Sequence, residues 1–134
     1  SNVFQSSTIP VLEQVVNFSQ ARHNVLTGNI ANLDTPGYRT RDISPVEFQK
    51  RLKAAVEQSH QPTGPASQSG LENPVNPLEE VKNSLNGILR HDDGNVGLEQ
   101  QIAEISKNQM QHNLAVSLLS TQFRLLQAAV SERA

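Results

Sequence analysis

Cysteine and tryptophan are absent from the chain, and its aromatic complement is four Phe and one Tyr. Without cysteine there is no disulfide and no thiolate site, which suits a chain that passes through, or ends in, an oxidising compartment. With so few rings, a core has to be assembled from Leu, Ile, Val and Ala, and that favours packed helices. Charge of one sign is lacking too: 11 Lys and Arg against 13 Asp and Glu give a formal net charge of −2. Nucleic-acid binding rests on clustered cations facing phosphates, so no nucleic-acid partner is expected. No run approaches the roughly 18 apolar residues that a membrane span needs. Nor does a basic stretch lead into an apolar region with a small-residue cleavage site, so neither a span nor a cleaved signal is expected. Neither GxGxxG nor GxxxxGK occurs, which removes the usual phosphate loops.

What the 134 residues do contain is helical periodicity. The length suits one domain over 1–134, and the pattern predicts an all-α chain. Its long N-terminal helix (9–33) and C-terminal helix (98–130) pack as a coiled coil, and a turn-rich, partly flexible segment (34–97) joins them. In the first helix, Val11, Val15, Phe18 and Val25 lie on one line of four- and three-residue steps, with Arg22 and Asn29 in the remaining places. A second line carries Leu12, Val16, Leu26, Ile30 and Leu33, which makes the apolar face broad. Pro10 is expected in the first turn, where its missing amide costs nothing.

The helix is expected to stop near Asn32 or Leu33, with Asn entering the left-handed region. Thr35 is pushed to an extended conformation by Pro36, and Pro36-Gly37 suits the centre of a type II turn, with Tyr38 just beyond it. Ser44, Pro45 and Glu47 then write a capping box and a helix start, and that helix should reach about Glu57. Residues 58–77, rich in Gln, Ser, Gly and Pro, read as a flexible linker. Leu78, Val81, Leu85 and Ile88 hint at one more helix, whose end could equally be a short extended stretch. Asp92 to Asn95 is turn chemistry, with Asn95 as the expected N-cap of the last helix.

That last helix has the most regular pattern. Leu98, Ile102, Ile105, Gln109, His112, Val116, Leu119, Phe123, Leu126 and Val130 alternate steps of four and three, and eight of the ten are apolar, as in a coiled-coil seam. Leu114, Leu118 and Leu125 form another apolar line about 200° around the helix, and no charge falls between Lys107 and Arg124. A helix apolar on opposite faces is usually buried, and a chain this small covers only one side from within. The outer line therefore predicts neighbouring chains.

Nothing is spaced as a catalytic site requires, so no enzyme is expected and no cofactor or metal is predicted. His91-Asp92-Asp93 has ligand chemistry but reads as a solvated turn. His112, a polar residue on the seam, more often sets register than binds a metal. Asn17-Phe18-Ser19 fits the glycosylation triplet but falls inside a helix.

Asn29, Ile30 and Asn32, then Thr35, Pro36, Gly37, Tyr38 and Arg39, resemble the N-terminal signature shared by bacterial flagellar rod and hook proteins. Gln20, Asn24, Leu26 and Gly28 look like the approach to it. Arg41-Asp42-Ile43, the short length, and Asp93-Gly94-Asn95-Val96 ahead of the last helix are similar to the proximal-rod members of that family. Gly97 departs from the acidic residue often found there. The resemblance implies a structural subunit that polymerises through its terminal helices into the rod carrying motor torque. It would be exported uncleaved by the flagellar type III apparatus to the periplasmic rod of the basal body. Its partners would be other copies, other rod proteins, and the membrane ring or export gate at the base, with the motif residues and Arg41 as subunit contacts. The residues alone leave open a free-standing helical adaptor.

Overall fold

A computed structural model describes residues 2–60, 76–92, 94 and 96–132, the first six of these for the backbone alone. In chain order the elements are α1 (Asn2–Ala31), β1 (Arg41–Ile43), α2 (Pro45–His60), α3 (Pro77–Asn83), a 3-10 turn (Leu85–Ile88), β2 (Leu89–His91) and α4 (Leu98–Glu132). The long helices α1 and α4 pack along one another antiparallel, the most extensive contact in the fold. At about 1.5 Å per residue they run about 45 and 52 Å. This is the all-α architecture that the periodicity predicts.

Helix α1 starts well before residue 9 and runs through Pro10. The proline is therefore interior, where its ring removes one ladder hydrogen bond, not in the first turn as expected. The helix ends at Ala31 without a left-handed Asn, since among the described residues only Gly37 has a positive φ, at 76°. Asn32 stops it differently. Its amide and its Nδ2 both donate to the Gly28 carbonyl, at 3.1 and 2.8 Å, and its carbonyl then accepts from Thr35 N at 3.0 Å. Tyr38 N donates to the Thr35 carbonyl at 3.2 Å across Pro36-Gly37, which is the predicted type II turn.

The chain next enters a two-stranded antiparallel ladder that pairs Arg41 with His91, Asp42 with Arg90, and Ile43 with Leu89. Three-residue strands carry too few alternating positions to announce themselves, and β1 is not foreseen by the pattern. Ser44 caps α2 as expected, its Oγ accepting from Glu47 N at 3.2 Å, while the Glu47 carboxylate lies 3.6 Å from Arg51 Nε. The linker expected over 58–77 lies, from 61 to 75, outside the described residues, and so does Asn95 as a cap. At the start of α4 it is the Gly97 carbonyl that accepts from Gln101 N, at 3.0 Å.

The hydrophobic core sits beside the helix pair, not within it. Phe18 of α1 stacks on Phe48 of α2, with ring centroids 4.1 Å apart. Ile43, Ala55, Leu78, Val81, Leu85 and Ile88 complete the cluster, and Val11, Val15 and Val25 pack against it. The middle segment expected to be turn-rich thus supplies most of the core. The first apolar line of α1 faces that segment, which corrects its assignment to a seam with the last helix.

Candidate functional site

The α1–α4 contact is polar. Its buried residues are Ser19, Arg22, Leu26 and Asn29 on α1, and Gln101, Asn108 and Ala115 on α4. Buried polar groups need partners, and those of α1 select which residues of α4 turn inward. Asn108 Nδ2 donates to the Ser19 carbonyl at 2.7 Å. The Ser19 hydroxyl gives its one hydrogen to the Val16 carbonyl at 2.9 Å, so at 2.7 Å it accepts from His112 Nδ1. A serine beside a histidine has the parts of a nucleophile and its base. Here, however, the hydroxyl is buried and its hydrogen is committed to the backbone, so the pair fixes register between the helices.

One turn further along, Arg22 is only 5% exposed, and its charge is met from two elements. Its Nε and Nη2 donate to Asp42 of β1, both at 2.9 Å. Nη2 also donates to Glu104 of α4 at 2.8 Å. Burial alone would lower the Arg22 pKa, but the two carboxylates outweigh it and hold the guanidinium above its ordinary value. In return, the hydrogen bond from Arg22 holds the Glu104 carboxyl below the usual carboxylate range, against partial burial and with help from Lys107. This ion cluster clamps α1, α4 and the ladder together.

The motif residues close the next turn. Asn29 is fully buried, and its short side chain is saturated on both ends. Nδ2 donates to the Arg41 carbonyl at 2.6 Å and to Gln101 Oε1 at 3.2 Å. Oδ1 accepts from Tyr38 Oη at 2.9 Å and from Arg41 N at 3.0 Å. One amide therefore ties the end of α1 to the turn, to β1 and to α4. Thr40 adds a second tie, its Oγ1 donating to Asp92 Oδ2 at 3.0 Å and its carbonyl accepting from Asp92 N at 2.9 Å. Asp92 so works as a structural link, and among the described residues no group of three or more His, Cys, Asp or Glu could hold a metal ion.

The remaining motif residues divide by exposure. Ile30 and Asn32 are half-buried, as are Tyr38 and Arg41, while Thr35, Pro36, Gly37 and Arg39 stand on the surface. The turn is thus an exposed knuckle on a buried polar knot.

The expected seam on α4 requires correction. Leu98, Ile102, Val116, Phe123, Leu126 and Val130 are exposed, and Ile105 and Leu119 are half-buried. The line that faces α1 is Gln101, Glu104, Asn108, His112 and Ala115; His112 is a place of the expected line, and the other four are that line displaced by one residue, or about 100°. Apolar spacing identifies a face that will be covered, not which neighbour covers it. The polar face of α1 takes the polar line of α4, and the apolar line is left outside. Leu114, Leu118 and Leu125 are exposed as well, so α4 carries uncovered apolar residues on both flanks. The polar knot itself had one faint sign in the sequence: Gln101, Asn108 and Ala115 repeat at seven residues, as do Arg22 and Asn29.

Comparison with known proteins places this arrangement. The family model described as flagella basal body rod protein matches residues 17–39, a stretch that holds Ser19, Arg22, Asn29 and the turn. Flagellar basal body rod protein FlgB of Aeromonas hydrophila is 31% identical over 116 residues, 84% of each chain. That of Aquifex aeolicus is 26% identical over 126 residues, 94% of each chain, and that of Escherichia coli is 27% identical over 119 residues, 84% of each. With the signature at the end of α1 and similarity running into α4, the chain belongs to the FlgB family of flagellar basal body rod proteins.

Proposed function

We propose that the protein is a structural subunit of the proximal rod of the flagellar basal body, built into a polymer through its terminal helices. The observation that carries this reading is the state of α4. Leu114 is 61% exposed, Phe123 48% and Val130 64%, on a helix of 35 residues with no charge between Lys107 and Arg124. Exposed large apolar residues along both flanks of one helix mark protein–protein contact surface.

The role is mechanical. The polar knot and the ion cluster fix the angle between α1, the turn and α4, while the flanks of α4 and the knuckle from Thr35 to Arg39 are offered to neighbours. In this reading the chain reaches the periplasmic rod by type III export, without cleavage. There it meets other rod proteins, and ring or export-gate components at the rod's base. Catalysis has no part in it.

A charge placed on the outer flank tests the proposal. In the isolated subunit Leu118→Asp leaves the side chain at a partly hydrated surface and should change stability by less than about 1 kcal/mol. In the polymer an unpaired carboxylate would be buried, so the variant should abolish rod assembly and swimming. Normal motility with this variant would show that the flank is not an assembly face.

A further inference from the structure

The two flanks of α4 differ in shape, and the difference points to how copies join. Taking Ala115 as the direction of α1, Leu114 and Leu118 lie about 60 to 100° to one side at about 100° per residue, and Val116, Phe123 and Val130 lie about 60 to 100° to the other. On the first side α4 encloses, with α1 and α2, an open groove of about 370 Å³. Leu12, Phe48, Leu52, Leu114 and Leu118 form its apolar walls, and none of its lining residues is charged. At about 30 Å³ per water it has room for roughly a dozen waters, or a few apolar side chains. On the second side the three apolar residues recur every seven positions and stand exposed, as a ridge.

Resting on the rod-subunit reading, we infer that the Val116–Phe123–Val130 ridge of one copy seats in the α1–α2–α4 groove of the next. Seven-residue anchors on a helix laid into an apolar groove are a standard mode of recognition, and the three anchors meet a groove lined by no charged residue. The same chain carries both halves of the contact, and the halves are different surfaces. Ridge against ridge, or groove against groove, would be self-complementary and would stop at a pair. Ridge in groove is head-to-tail and continues into a ring or a helical array, as a rod subunit needs. The groove is also continuous with the exposed flank at Leu114 and Leu118, so one neighbour covers both.

The absence of native cysteine makes the contact directly testable. Gln49 borders the groove, and Gln127 is exposed between Phe123 and Val130. Cells co-expressing the single variants Gln49→Cys and Gln127→Cys should give isolated basal bodies in which a short bis-maleimide joins two copies of this chain. Cells expressing either variant alone should give no such product. Leu52→Cys with Phe123→Cys serves as a second pair. If both variants enter basal bodies and neither pair joins two copies, or if the groove variant expressed alone gives a cross-linked pair or a product with a different rod protein, the ridge-in-groove contact is wrong while the rod reading stands. Absence of the unmodified chain from basal bodies would overturn both.

Discussion

Asn29→Ala is expected to destabilise the isolated subunit by on the order of 3 to 4 kcal/mol. The loss is not that of one bond. A single amide donates to the Arg41 carbonyl and Gln101, and accepts from Tyr38 and the Arg41 amide. Alanine removes both ends of the amide and leaves these partners without it. Each buried donor or acceptor left unpaired costs about 1 to 3 kcal/mol, and the sum is reduced because Tyr38 and Arg41 are half-buried and can recruit water. For a chain of this length such a loss lowers the melting temperature by about 10 °C. Urea titration reads it as a lower midpoint at nearly constant slope. Tyr38→Phe removes one of the four bonds and should cost about 1 kcal/mol. Equal effects from the two substitutions would show that the bond to Tyr38 is the only one of the four that contributes.

Arg22→Met should cost about 3 kcal/mol at neutral pH. Methionine fills a similar linear space, so the loss is mainly electrostatic: Asp42 and Glu104 keep their charges and lose the cation between them. Breaking a buried pair costs about 3 to 5 kcal/mol. The low end applies because the two carboxylates are partly exposed. The pH dependence has a definite sign. Glu104 titrates lower in the folded chain than in the unfolded one, so the unfolded state binds the proton first as pH falls. The stability from this carboxylate is therefore complete above its unfolded pKa, and is lost as pH drops through the folded value. Stability measured from pH 7 down to pH 3 should fall in the wild type, and part of that slope should vanish in Arg22→Met. An unchanged slope would mean that the cluster contributes nothing to acid sensitivity.

The parts of the structure that are legible in the sequence are those set by local constraints. Pro36 and Gly37 fix their own dihedrals, Ser44 finds its partner three residues on, and the long helices follow from sustained periodicity. The polar knot was not legible, because the partners of Asn29 are 9, 12 and 72 positions away, and its residue types alone suggest solvent. The rotation of α4 is the same failure in another form. Counting apolar steps selected the line through Ile102, Val116 and Phe123 as the seam, whereas the helix turned to satisfy the buried polar side chains of α1. On the proposed rod-subunit reading, what periodicity records at those positions is burial between chains, one level above the subunit.

That claim, a subunit whose last helix is completed only by its neighbours, is most directly tested by amide hydrogen exchange across α4. Beyond Ala115 no described residue of α4 is fully buried, so little in the isolated chain opposes local opening. In dilute subunit the amides of residues 116–130 should exchange quickly while those near Gln101 and Asn108 are protected, and in isolated basal bodies the whole helix should be protected. Strong protection of 116–130 in the dilute subunit would contradict the account.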